Sequence, residues 1–94
     1  MSIEARLKTI MQSWQMPIAP DCEHYLMQLI DQAGSNLRNR GLYSDQKKLL
    51  EVERNFEKLL VEMTWQAGVL GLHELREPTF HNALSSLCPI FPFC

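Results

Sequence analysis

The sequence has no apolar run near the roughly 18 residues of a membrane span, no stretch that alternates as a strand does, and no Cys-x-x-Cys pair. The first absence argues against a transmembrane segment. The opening MSIEARLKTIMQSWQ breaks its apolar positions with Glu4, Arg6 and Lys8, so it does not read as a signal peptide either. Three cysteines, an odd number, are not the disulfide framework of a small secreted domain, and the expectation is a cytoplasmic protein with reduced thiols. A surplus of basic residues is also missing. With a formal net charge of -2 and a pI near 5.9, the chain lacks the general cationic balance that phosphate neutralisation requires. There is no internal repeat and no low-complexity segment.

What the 94 residues do contain is helical periodicity, in a composition that is 46% apolar and 21% charged. That size suits a single domain, 1–94, able to bury about 60–65% of its unfolded surface. Ser2 is a candidate N-cap, and Ile3, Leu7, Ile10, Met11 and Trp14 follow at helical spacing, which predicts a helix over 2–15. Pro17 and Pro20 forbid its continuation and make MPIAP a short extended connector. Asp21 is the candidate cap of a second helix over 21–40, with Cys22, Leu26, Leu29, Ile30, Ala33 and Leu37 on its apolar face. Gly34 interrupts that pattern, so either the helix bends there or a neighbouring backbone comes close. Arg38 and Arg40 suit the negative end of the helix dipole, and Gly41 fits the left-handed position that ends it.

The longest regular element is predicted over 44–70, opening at Ser44 as N-cap. Leu49, Val52, Phe56, Leu59, Leu60, Met63, Ala67 and Leu70 recur at spacings of three and four. The short link from the second helix implies an antiparallel hairpin. At 1.5 Å per residue the third helix runs for about 40 Å against about 28 Å for the second, so its distal half overhangs. There the chain is apolar on nearly all sides, and Val61, Trp65 and Val69 fall off the main stripe. After the polar segment HELREP, Thr79 caps a short fourth helix over 79–87, which Pro89 stops. The tail 88–94, Cys-Pro-Ile-Phe-Pro-Phe-Cys, is apolar and held extended by its prolines. The fold expected is therefore all-α: a helical hairpin extended to a small three- to four-helix bundle with an extended C-terminal tail.

No residue set states a chemistry, and the expectation is a non-enzymatic protein without cofactors. His73, His81, Cys88 and Cys94 could supply two imidazoles and two thiolates to zinc, but they lack the close ligand pairs of structural zinc motifs. Cys22 with His24 could be written as nucleophile and base, yet residues two apart on a helix point in different directions. Glu23, Glu51, Glu53, Glu57 and Glu62 lack the Glu-x-x-His partners of a carboxylate metal site. The glutamates of the third helix are interleaved with Lys47, Lys48, Arg54 and Lys58, as on a solvated face. Arg38, Arg40, Lys47 and Lys48 form the one basic patch, at the hairpin turn. They would be the contacts of an alternative function, a small DNA-binding or antitoxin-like regulator.

The apolar surplus is more informative. Trp14, Met16, Tyr25, Met27, Trp65 and the tail residues Ile90, Phe91 and Phe93 exceed what one helical seam needs, and aromatic residues and methionine are enriched at interfaces. The leading expectation is a protein-binding module, adaptor or chaperone-like. Its apolar surface on the distal third helix, with Trp65, Val69 and the tail residues, would accept a protein partner or a second copy in a dimer. What covers that half of the helix, the tail or a partner, is open at this point.

From Gln28 to Gly68 the pattern QLIDQAGSNLRNRG, a short turn, then QKKLLEVERNFEKLLVEMTWQAG resembles the helical hairpin of the small co-chaperones that guard needle subunits of bacterial type III secretion systems. In that family the first arm ends in a basic-Gly turn and the second arm is apolar. The resemblance implies that Phe56, Leu60, Met63 and Trp65 face the partner. The segment from Pro78 to Cys94 has no usual counterpart there.

Overall fold

The computed structural model describes residues 2–87, and in them the chain forms four helices and no named strand. They are α1 (Ile3–Gln12), α2 (Pro20–Asn39), α3 (Gln46–Leu70) and α4 (Glu77–Leu87). The all-α bundle expected from periodicity is the architecture observed. The tail 88–94, with Ile90, Phe91 and Phe93, lies outside the described residues.

Local chemistry sets the boundaries. Ser2 caps α1 as expected, its hydroxyl accepting from the Ala5 amide at 3.2 Å. α2 begins one residue early, at Pro20, because proline at the first helical position gives up an amide that has no partner there anyway. Asp21 is thus a first-turn anion rather than the cap. Asp45, not Ser44, caps α3, accepting from the Lys47 and Lys48 amides. α4 also starts earlier than expected: Pro78 sits in its first turn, and Thr79 faces inward. The Thr79 hydroxyl donates to the Arg76 carbonyl at 2.6 Å and accepts from the Arg76 amide at 3.2 Å. Gly41 and Gly71 close α2 and α3 at φ 69° and 73°, and the following Leu42 and Leu72 amides reach back to Leu37 and Ala67.

α2 and α3 are the long arms, but their backbones approach most closely to the shorter helices. α1 lies against both arms, and α4 lies mainly along α3. The buried faces meet in one core that includes Ile3, Leu7, Leu26, Ile30, Leu37, Val52, Phe56, Leu59, Leu60 and Met63. A short pairing clamps the two connectors together. The Leu75 amide donates to the Pro17 carbonyl at 2.8 Å, and the Ala19 amide donates to the Leu75 carbonyl at 2.9 Å. This gives the MPIAP connector its extended form and carries Leu75, from the polar-looking HELREP, into the core at 0% exposure.

Gly34 has a cause different from both expected ones. The Glu4 side chain lies against it, and a Cβ at residue 34 would sit 2.6 Å from Glu4 Cδ. That carboxylate accepts from the Tyr43 hydroxyl at 2.8 Å and from Arg38 at 2.7 Å, and the Arg38 guanidinium also lies over the Tyr43 ring. Burial alone would raise the Glu4 pKa; the hydrogen bonds from Tyr43 and Arg38 outweigh it and hold the carboxyl below its usual value.

Two opposed effects therefore meet at residue 34. Alanine gains about 1 kcal/mol of helix propensity but displaces Glu4 from its partners. In a double-mutant cycle followed by urea unfolding, Gly34→Ala should stabilise the Glu4→Ala protein by about 1 kcal/mol and bring no such gain to the parent. The coupling should fade as pH falls below about 4.5, because a carboxyl with a lowered folded pKa loses its stabilising contribution on protonation. Equal effects of Gly34→Ala in both backgrounds would contradict the contact.

Candidate functional site

α3 presents two faces. Leu49, Val52, Phe56, Leu59, Leu60, Met63 and Ala67 are buried against α1, α2 and α4. Opposite them Val61, Trp65 and Val69, spaced by four, are 57%, 64% and 66% exposed, and Leu70 is 57% exposed. Residues four apart on a helix stand one above another, so these side chains form a continuous apolar ridge about 12 Å long at 1.5 Å per residue. Trp65 is two-thirds exposed where Phe56 and Phe80 are buried and Trp14 is half-buried, and contiguous exposed apolar surface marks interaction sites.

Grooves flank the ridge. Between α3 and the end of α1 lies a groove of about 440 Å³ lined by Ile10, Trp14, Met16, Glu57, Val61 and Thr64 among others. Its floor is fixed by the Trp14 indole N–H, which donates to the Thr64 hydroxyl at 2.9 Å, while that hydroxyl donates to the Leu60 carbonyl. A second groove, about 450 Å³, opens where Leu87 of α4 meets Arg54, Lys58, Val61 and Glu62. A smaller hollow of about 200 Å³ is bounded by Trp65, Gln66, Val69, Leu70 and Asn82.

Placement of the expected partner residues divides them sharply. Trp65 and Val69 are on the open ridge. Phe56, Leu60 and Met63 are not: they are 1%, 0% and 0% exposed, in the core. They share the inward stripe with Leu59 and Ala67, so they face α1, α2 and α4 rather than a partner. Ile90, Phe91 and Phe93 fall outside the described residues. Leu70, read as part of the buried stripe, is 57% exposed in the last turn of α3, just before the helix ends at Gly71. Val61 and Leu70 join the candidate surface. The signal for Val61 was present in its position off the main apolar face, whereas none marked Leu70.

The other constellations are drawn into structural contacts. Arg38 is held by Glu4 and Tyr43, and Lys48 pairs with Glu51 at 3.5 Å, leaving Arg40 and Lys47 exposed on a divided patch. Glu53 is no solvated residue: it bridges to Arg6 of α1 at 2.6 Å. Cys22 is fully buried, and burial together with the Glu77 charge pushes its thiol up to about 12, so it forms no nucleophilic thiolate at neutral pH. Tyr25 stacks on Phe80 with centroids 5.6 Å apart, and the His81 ring meets both edge-on. Its contact with Tyr25 helps pack α4 on α2, while within α4 His81 also contacts the Glu77 carboxylate at 3.2 Å. Of the proposed zinc ligands, Cys88 and Cys94 lie outside the described residues. Among the described residues no three His, Cys, Asp or Glu side chains gather as a metal site, and no helix is long and apolar enough to cross a membrane.

No protein-family description, curated protein or solved structure matches the chain.

Proposed function

We propose that this protein is a non-enzymatic protein-binding module of the cytoplasm, adaptor or chaperone-like, whose docking surface is the outward ridge of α3. The observation that carries the reading is Trp65, 64% exposed at the centre of an apolar row whose opposite face is buried from Leu49 to Ala67. The occupant is an amphipathic helix or extended segment of a partner, or the same ridge of a second copy, laid along Val61, Trp65 and Val69. Guarding an aggregation-prone helical subunit, as the co-chaperones of the resembling family do, is the narrower form of this function.

Gly68 supports the reading. It lies on the same side of α3, costs the helix about 1 kcal/mol relative to alanine, and has nothing within 4 Å of the place its Cβ would occupy. Among the described residues that cost has no return. At an interface it leaves room for a partner's backbone beside Trp65.

Covering the open part of a tryptophan removes on the order of 150 Å² from water, a gross gain of about 4 kcal/mol at about 25 cal/mol per Å², part of which offsets the entropy of association. Trp65→Ala should therefore weaken partner binding by at least about tenfold while changing stability by less than about 0.5 kcal/mol. Gly68→Ala should also weaken binding while raising stability by about 0.5–1 kcal/mol. Titration calorimetry beside urea unfolding checks both. Unchanged affinity in the two variants would move the site off α3.

A further inference from the structure

The outward row of α3 does not begin at Val61. One turn earlier, at the same spacing of four, stands the exposed Glu57, so the row reads Glu57, Val61, Trp65, Val69, with a carboxylate at one end of an apolar strip. Among the described residues lining the groove of about 440 Å³ beside Trp14, Glu57 is the one that carries charge. Arg54 and Lys58 line the second groove on its other side, and among the described residues no ion pair or hydrogen bond holds Glu57. We propose that the Trp14 groove receives an arginine side chain of the partner protein, with Glu57 as its counter-charge. The partner on the ridge is then a segment whose apolar row ends in arginine.

The polar groups of the groove are arranged to accept hydrogen bonds rather than to donate them. The Trp14 indole N–H is spent on Thr64, the Thr64 hydroxyl on the Leu60 carbonyl, and the Ser13 hydroxyl on the Ile10 carbonyl. Gln15 apart, the lining side chains offer only acceptors, the Glu57 oxygens foremost, so an anion finds no counterpart there. Walls from Ile10, Trp14 and Met16 suit a planar guanidinium on its methylene stem better than a compact, strongly hydrated ammonium. The chain itself makes this pairing twice along α1. Arg6 bridges Glu53, one turn before Glu57 on α3, at 2.6 Å, and Arg38 bonds Glu4 while lying 4.3 Å from the centre of the Tyr43 ring. At the third place the carboxylate and the aromatic ring are both present, but α1 supplies Ile10, four residues after Arg6, in place of a cation. The proposal rests on the ridge reading for which protein brings the arginine, and not for the preference of the groove.

The test uses the full chain and a capped arginine, N-acetylarginine methylamide, against its neutral isostere, N-acetylcitrulline methylamide. The chain has two tryptophans, so Trp65→Ala, by removing the other indole, assigns the Trp14 N–H signal in spectra of isotope-labelled protein. Titration with the capped arginine should move that signal saturably, and the citrulline compound should bind about fivefold more weakly. Glu57→Gln, a conservative change at an exposed position, should bring the two compounds to equal affinity. Equal affinities in the parent protein, or no movement of the Trp14 signal, would overturn the proposal, as would a preference for arginine that survives Glu57→Gln. Tighter binding of uncapped arginine would also overturn it, because the groove would then read the ammonium and carboxylate of a free amino acid. Failure of the titration leaves Trp65 as the anchor of the ridge. Failure of the ridge reading shows instead in an unchanged affinity of Trp65→Ala for its partner and leaves the titration as it was.

Discussion

Phe56→Ala should lower the stability of this protein by about 3–5 kcal/mol, the cost of deleting a buried aromatic side chain and leaving a cavity. Phe56 is 1% exposed on the inward face of α3, among the helices that pack against it. A domain of this length holds only about 5–14 kcal/mol in all, at about 0.05–0.15 kcal/mol per residue. The loss would shift the urea midpoint by about 3–5 M, taking a slope near 1 kcal/mol per M. That outcome separates the two faces of one helix. If Phe56 faced a partner, as the family resemblance implied, Phe56→Ala would leave the free protein's midpoint almost unchanged and weaken binding alone. Trp65→Ala, nine residues on, is expected to behave in that second way.

Leu75→Ala should be nearly as costly, at about 2–5 kcal/mol. Leu75 is completely buried although it stands between charged neighbours in a connector. Its amide and carbonyl both bond the Pro17–Ala19 stretch, so the side chain anchors the point where two connectors meet. Truncation leaves those backbone bonds without the packing that holds them, and the α3–α4 link should loosen before the rest of the bundle. Hydrogen exchange gives the check: the Ala19 and Leu75 amides, protected in the parent, should exchange far faster in Leu75→Ala, while core amides of α3 follow the drop in global stability. A loss under about 1 kcal/mol with unchanged protection would mean that the connector is not docked.

Leu75 also shows where sequence reading stops. The α3 core was legible because Leu49 to Ala67 repeat at helical spacing, a signal that many residues share. A single leucine in HELREP has no period, so only tertiary packing reveals its burial. Short-range capping shows the same limit at finer scale: Ser2 and Gly41 were readable, while Ser44 and Asp45 are adjacent acceptors and the choice between them depends on how the chain leaves Leu42. The Glu4–Arg38–Tyr43 contact joins residues far apart in the chain, so Gly34 could be seen as anomalous but not explained. On the candidate site, periodicity already set Val61, Trp65 and Val69 apart from the core. Phe56, Leu60 and Met63 were assigned outward by resemblance to a hairpin whose second arm is open, whereas here α1 and α4 close that face.

The proposed partner surface on the ridge of α3 is open to test in the cell. Placing a photoreactive phenylalanine analogue singly at Trp65, at Val69 and at the exposed Asp31 of α2, then irradiating living cells that express the full chain, tests it directly. If the ridge docks a partner, positions 65 and 69 give the same discrete adduct and position 31 gives none. No adduct from either ridge position, or the same adduct from all three, would contradict it.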